Sequence, residues 1–258
     1  MSDAQGCVFR AGRIVTRAAL VVLVALGPGE ALAYRPFDST DADVVGENEF
    51  ELELGPIGHL RQGENRFWIA PAVIANFGLK GDREIVLEGR GKTPTGSASG
   101  SSPMQFGDTA LSLKQIHRRG VLQDEAGPSV ASECGVLLAE INGAPGTGAG
   151  CIGILSHRAT WATAHVNAGA FLDREHNWKR VLGFILEGPH EWTVRPVMEL
   201  VTERAGNGNW SNAVLVGMIW RLEDHLSLDV AVRTARTNTQ PVHEWRAGLT
   251  WAFQPGRR

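Results

Sequence analysis

One histidine lies in a setting that invites a chemical reading: His165-Val166-Asn167-Ala168-Gly169 puts an imidazole two residues from a carboxamide. In an extended strand, residues i and i+2 project to the same side, so His165 and Asn167 have the spacing of a base and its orienting partner for acyl transfer. That chemistry needs a nucleophile within hydrogen-bond reach of the base, and no serine or cysteine lies in the segment. The expectation is an inward polar pair, with no catalytic residue assigned. His157, His176, His190, His225 and His243 are scattered over turns and strand ends without metal-ligand spacing. Pro94-Thr95-Gly96 and Pro145-Gly146-Thr147-Gly148 are glycine-rich, but no helical pattern follows either, which argues against phosphate binding. Neither a metal nor a cofactor is expected.

Cys134 and Cys151 also carry potential chemistry. If residues 142–150 form a hairpin loop, Cys151 lies opposite Ile141, and Cys134 is roughly seven residues farther along, some 20 Å at about 3.3 Å per residue. A disulfide needs Cα atoms within about 7 Å. The two are therefore expected to be small apolar fillers, unbridged.

The elements that position these residues show period-two patterning. Arg195, Glu199 and Glu203 alternate with Val194, Pro196, Met198 and Leu200; Glu49, Glu51 and Glu53 alternate with Phe50, Leu52 and Leu54. Ser227, Asp229 and Arg233 alternate with Leu226, Leu228, Val230 and Val232, and Arg221 and Glu223 flank Leu222 beside Trp220. An arginine facing mid-bilayer lipid costs about 2–4 kcal/mol, so if these strands span a membrane their charges must point into a lumen. Glu51, Glu53, Asp108, Lys114, His165 and Asn167 are expected on that inner side. Arg195, Glu199, Arg221, Asp229 and Arg233 complete the expected solute path.

About twelve such segments are separated by turn residues: 47–54, 66–76, 83–90, 106–118, 131–142, 150–157, 160–171, 178–187, 191–203, 212–222, 225–236 and 243–253. The pattern predicts an all-β fold, a closed antiparallel transmembrane up-and-down β-barrel of about twelve strands. Connections at 77–82, 157–159, 188–190 and 223–224 read as short, and those at 55–65, 91–105, 142–149, 204–211 and 237–242 as longer. Two connections break that alternation, 119–130 by its length and 173–177 by its shortness. Pro71 and Pro196 lie inside strands and are expected to mark bulges. Eight tryptophans stand against one tyrosine, with Trp161, Trp178, Trp192, Trp220, Trp245 and Trp251 at or near strand ends, as in an interfacial aromatic belt; core packing in a soluble sandwich is the alternative.

The termini agree with a membrane destination. Arg10, Arg13 and Arg17 precede the apolar run 18–26, and Ala31-Leu32-Ala33 is a small-residue cleavage site before Tyr34, so residues 1–33 are expected to be a signal peptide. Residues 34–46 are expected to run through the periplasm, with inward folding of the acidic stretch 38–49 as the alternative, and 47–258 to form the barrel. The hydrophobic content of 43% and mean hydropathy of −0.11 fit a barrel, in which only alternate residues touch lipid. A net charge of −3 provides no basic stripe for nucleic acid. The ending, with Arg246, Gly248, Trp251 and Phe253, resembles the C-terminal signal read by the outer-membrane barrel assembly machinery, which that resemblance implies as a partner.

Two wider resemblances follow. His165 to Gly169 is faintly similar to the His-x-Ser-Asn-Gly segment of outer-membrane phospholipase A, a twelve-stranded barrel, though the serine is missing. The order Arg35-Pro36-Phe37-Asp38, Phe50-Glu51-Leu52-Glu53, Phe106-Gly107-Asp108-Thr109 with Leu113-Lys114, Pro145 to Gly148, His165 to Gly169 and Gly248 to Phe253 resembles the outer-membrane barrels named as transporters of the phenol meta-cleavage degradation pathway. The chain departs from that family's Leu-Pro-Thr-Gly run, carrying Ala144-Pro145-Gly146-Thr147-Gly148. The resemblance implies an outer-membrane location and a passive conduit, not an enzyme, for small solutes of aromatic or apolar character. Membrane lipid and the solute are then the further partners. A structural or surface-binding barrel with a filled lumen is the alternative, and a lipid hydrolase using His165 a third.

Overall fold

The computed structural model describes residues 27–28, 36–95 and 104–254; nearly all of the expected signal peptide lies outside them. The alternating segments are strands. After a two-residue strand β1 (Gly27–Pro28) come β2 (Phe50–Gln62), β3 (Asn65–Leu79), β4 (Arg83–Thr95), β5 (Gln105–Arg118), β6 (Ser129–Leu137) and β7 (Gly148–Arg158). The second half comprises β8 (Thr163–Leu172), β9 (Trp178–Glu187), β10 (Val194–Ala205), β11 (Trp210–Glu223), β12 (Leu226–Thr237) and β13 (Gln240–Gln254). From β2 on, each strand pairs antiparallel with the next. The last, β13, returns to β2, from Val242↔Gln62 to Phe253↔Phe50. β2 to β13 thus form a closed, twelve-stranded, up-and-down barrel. Closure pairs the backbone groups that an open edge would leave bare.

The barrel is built inside out. Val216 and Val232, direct cross-strand partners, are 58% and 61% exposed on the outer wall, while Glu51, Glu53 and Asn167 inside are 0% exposed. Leu87, Leu182, Leu200 and Val230 are likewise exposed, making a continuous apolar belt far larger than soluble monomers leave in water. Trp161, Trp192 and Trp220 are exposed near the end where Phe50 and Gln254 lie, here the near end. Trp68, Trp178 and Trp245 are exposed toward the opposite, far end, with Trp68 and Trp245 edge-to-face at 5.7 Å.

Several boundaries differ from expectation. The long connection expected at 55–65 is mostly strand: β2 runs to Gln62, and Gly63, at φ +59°, helps to turn the chain in two residues. The 237–242 connection similarly shrinks to residues 238–239, with Asn238 at φ 53°. Both ends therefore mix short and long connections, and loop length does not separate them. Pro71 does sit at a bulge, where the β3–β4 register shifts between Ile69 and Ala72. Pro196 does not: it lies in regular register opposite Met218. Its carbonyl accepts the Gly188 N–H at 2.8 Å just beyond the first β9–β10 pair, Val197↔Glu187, so its missing N–H costs no ladder bond.

The cysteines require a larger correction. β6 ends at Leu137 rather than 142, so 138–147 is the loop and Cys134 falls directly opposite Cys151. Their Cα atoms are 4.1 Å apart and the sulfurs are bonded. Apolar Leu138 and Ile141 made the strand look longer. In fact Glu140 N–H donates to Ala144 O at 2.9 Å, and Asn142 has φ 58°, which turns the chain away from the wall.

Candidate functional site

The lumen contains a segment expected elsewhere. Residues 36–49 do not leave the barrel; they thread its interior, held at each step by inward side chains of the wall. Asp38 N–H and Ser39 N–H donate to the two carboxylate oxygens of Glu199 on β10, each at 2.7 Å. Asn167 on β8 donates from Nδ2 to Thr40 O at 2.8 Å. Ser156 Oγ on β7 accepts Ala42 N–H at 2.9 Å, and Glu84 on β4 accepts Val45 N–H at 2.8 Å. The segment then joins the sheet, with Asn48 N–H donating to Gly78 O and Gly78 N–H to Glu49 O, both at 3.0 Å.

Charge complementarity fixes the register of this plug. Asp38 pairs with Arg246 at 2.6 Å and Arg233 at 2.5 Å, and against the desolvation inside the barrel the two guanidiniums hold its carboxyl well below the usual range. Arg246 also donates to Pro36 O at 2.8 Å and Glu244 at 3.0 Å. Lys114, 1% exposed, lies 3.6 Å from Asp41 and 3.5 Å from Glu84. Removing one partner from such a buried set leaves a charge uncompensated, which is strongly destabilising. Burial and the nearby Asp41 push the Asp43 carboxyl up to about 6, against the hydrogen bond it accepts from Gln123 at 2.9 Å.

The plug divides the interior unequally. Toward the far end, lumen-facing Leu60, Ile69, Val201 and Val242 meet across the barrel and close one side with an apolar cluster. The other side stays open. A chamber of about 230 Å³ is walled by Asp38, Glu53, Glu84, Glu88 and Glu133, with Phe37, Ile74, Ile152 and Phe171 supplying apolar surface. Phe37, Asp38, Ile74 and Glu88 also border a cavity of about 210 Å³ beside Arg90 and Asp108. Toward the near end lies a vestibule of about 750 Å³ rimmed by Glu47, Glu49, Asp82, Asp124 and Asp224. A thin partition separates chamber from vestibule: Asn76 Nδ2 lies 3.2 Å from Glu53, which faces the chamber, and 3.3 Å from Glu51, which faces the vestibule.

All eleven residues expected to face inward do so, but they do not form one site. Lys114, Asn167, Glu199 and Arg233 converge on the plug. Glu51 and Glu53 form the partition. Asp108 pairs with Arg90 and Lys92, Asp229 is buried in the wall, and Arg221 reaches only the Glu191 carbonyl at 3.4 Å. Arg246, read as part of an assembly signal, is also a plug anchor. Glu84, Arg90 and Glu244 escaped notice, although Glu84 alternates with Ile85 in the same period-two manner as its neighbours.

His165 has a serine after all. Register sets Ser156 opposite it, with Oγ 2.7 Å from Nδ1, and His165 Nε2 lies 3.3 Å from Glu187, which pairs with Arg195 at 3.4 Å. Ser156 Oγ also accepts Ala42 N–H, so the serine is shared between His165 and the plug. The serine is 0% exposed, so this relay acts as an anchor for the plug.

A closed twelve-stranded barrel, apolar outside and charged inside, is the architecture of a transmembrane β-barrel. No family profile and no curated sequence matches the chain. Solved structures do match. An outer-membrane channel from Pseudomonas putida F1 superimposes with a TM-score of 0.60 at 8% identity, over 84% of this chain and 99% of that one. The NanC porin gives 0.53 at 8% over 78% and 98%. The KdgM porin in complex with disordered oligogalacturonate gives 0.51 at 7% over 79% and 98%. At such identities the likeness shows the fold alone.

Proposed function

We propose that this protein is a passive outer-membrane channel for small solutes, its passage running beside the N-terminal plug. The observation that carries this reading is the chamber left open on one side of the plug, in a barrel whose outer wall suits lipid. Solved porins and channels of the same fold support it. The walls suggest the solute class: carboxylates surround the chamber and rim the vestibule, so cations concentrate there and anions are repelled. The Phe37 and Phe171 surfaces suit an apolar or aromatic body, in keeping with the family that the sequence resembles.

The test is planar-bilayer recording of the refolded barrel across a potassium chloride gradient. The expected outcome is a steady conductance whose zero-current potential has the sign of cation preference, reduced in Glu88→Gln/Glu133→Gln. A barrel passing no current and no solute defeats the channel reading. It would favour the alternative, a filled structural barrel, which the apolar cluster and the Glu51–Asn76–Glu53 partition support.

A further inference from the structure

The outer wall carries a second charge pattern that transport does not use. Near the far end, Arg61 (β2), Arg66 (β3), Arg180 (β9), Arg204 (β10) and Arg236 (β12) are all exposed, on the face opposite the lumen. Register sets them against one another: Arg61 pairs directly with Arg66, and Arg180 with Arg204. His243, also exposed, lies beside Arg61 on β13. The strands run consecutively around the barrel, β9 to β13 and then β2 and β3, so the arginines form an arc at one height. Among the described residues none of the five is ion-paired with a carboxylate; Arg61 donates only to Gly63 O, at 3.2 Å.

Like charges directly opposite across strands are destabilising, so two such pairs in one arc call for a counter-charge from outside the chain. Depth says where it comes from. Trp68 and Trp245 are two residues along their strands from Arg66 and His243, and Trp178 is two from Arg180. Exposed tryptophans collect at headgroup level, where an outward arginine costs only about 0–1 kcal/mol. Guanidinium forks match phosphate oxygens bidentately.

We infer that this arc binds lipid headgroups of net negative charge in the leaflet at the far end, each cross-strand arginine pair clamping a phosphate that carries no compensating cation of its own, as choline would be. The occupant is membrane lipid, because the arc faces the hydrocarbon side of the wall rather than the lumen or a loop. The inference needs only the membrane placement of the barrel, not its conductance.

The experiment compares wild type with Arg61→Gln/Arg66→Gln and Arg180→Gln/Arg204→Gln, folded into vesicles of phosphatidylcholine alone or mixed with phosphatidylglycerol. Folding is scored by the heat-induced shift in electrophoretic mobility, and lipid preference by tryptophan quenching with brominated phosphatidylglycerol against brominated phosphatidylcholine. Wild type should prefer the anionic lipid, and each double variant should lose roughly five-fold per arginine, the equivalent of about 1 kcal/mol for a basic side chain near an anionic surface. The unfolding midpoint should shift in opposite directions: up in the variants in pure phosphatidylcholine, where repulsion is relieved, and down in the mixed vesicles. Equal quenching by both lipids, or variant shifts of the same sign in both vesicles, overturns the proposal. So does inorganic phosphate at matched ionic strength restoring the wild-type midpoint in phosphatidylcholine, which would mark an ion site rather than a lipid one.

Discussion

Individual side chains here do work that depends on their neighbours' charge. His190, in the 188–193 connection outside the wall, shows this clearly: burial, then the guanidiniums of Arg158, Arg195 and Arg221, hold its imidazole down at about 4. It is therefore neutral in the folded barrel and accepts a hydrogen from Arg195 Nη1 at 3.1 Å. The unfolded chain takes up that proton below about pH 6.5, so it binds more protons than the folded state between that pH and about 4. The stabilisation is complete above pH 6.5 and disappears as pH falls toward 4. Unfolding of wild type against His190→Gln across this window should show wild type losing ground only on the acid side; a constant difference between them would remove the titration account.

At the scale of elements, the plug and the wall are cut to fit each other. A Cβ on Gly78 would lie 1.9 Å from Gly46 O and 2.5 Å from Val45 O, and one on Gly183 would lie 2.2 Å from Ser39 Oγ. Both strands give up a side chain where the plug passes. Alanine at Gly78, where the clash is with plug backbone, should expel part of the segment and raise single-channel conductance several-fold; at Gly183 the Ser39 hydroxyl can rotate aside, so the rise should be smaller. Gly153→Ala serves as control, since the nearest atom to its added methyl is 3.8 Å away. Unchanged conductance in Gly78→Ala and Gly183→Ala, with the barrel folded, would mean that the plug does not limit flow. The disulfide is an element-scale feature too, pinning the β6–β7 hairpin between two residues that share a register position.

At the scale of the whole molecule, the inside-out wall sets what the surroundings must be. Val232 is 61% exposed, yet Val232→Arg should cost about 2–4 kcal/mol if the position faces mid-bilayer hydrocarbon. Reversible folding into lipid vesicles measures this directly. In a water-soluble protein an exposed valine accepts arginine at almost no cost, so a near-zero effect would remove the belt from the membrane.

Strand number, closure and the inward direction of Glu51, Lys114, Arg195 and Asp229 were legible in the chain itself, because period two and the cost of charge in lipid act residue by residue. The rest needed partners far apart in sequence. Cys134 meets Cys151, and Ser156 meets His165, only through hairpin registers set by loops whose ends apolar residues disguised. Asp38 meets Arg246 across 208 positions, and no local pattern indicates that an acidic segment will turn inward rather than run outside. The arc of arginines is likewise invisible strand by strand, since Arg61 joins Arg180, Arg204 and Arg236 in one arc only when β13 pairs with β2. Alternation determines which side of a wall each residue takes; closure decides what it then touches.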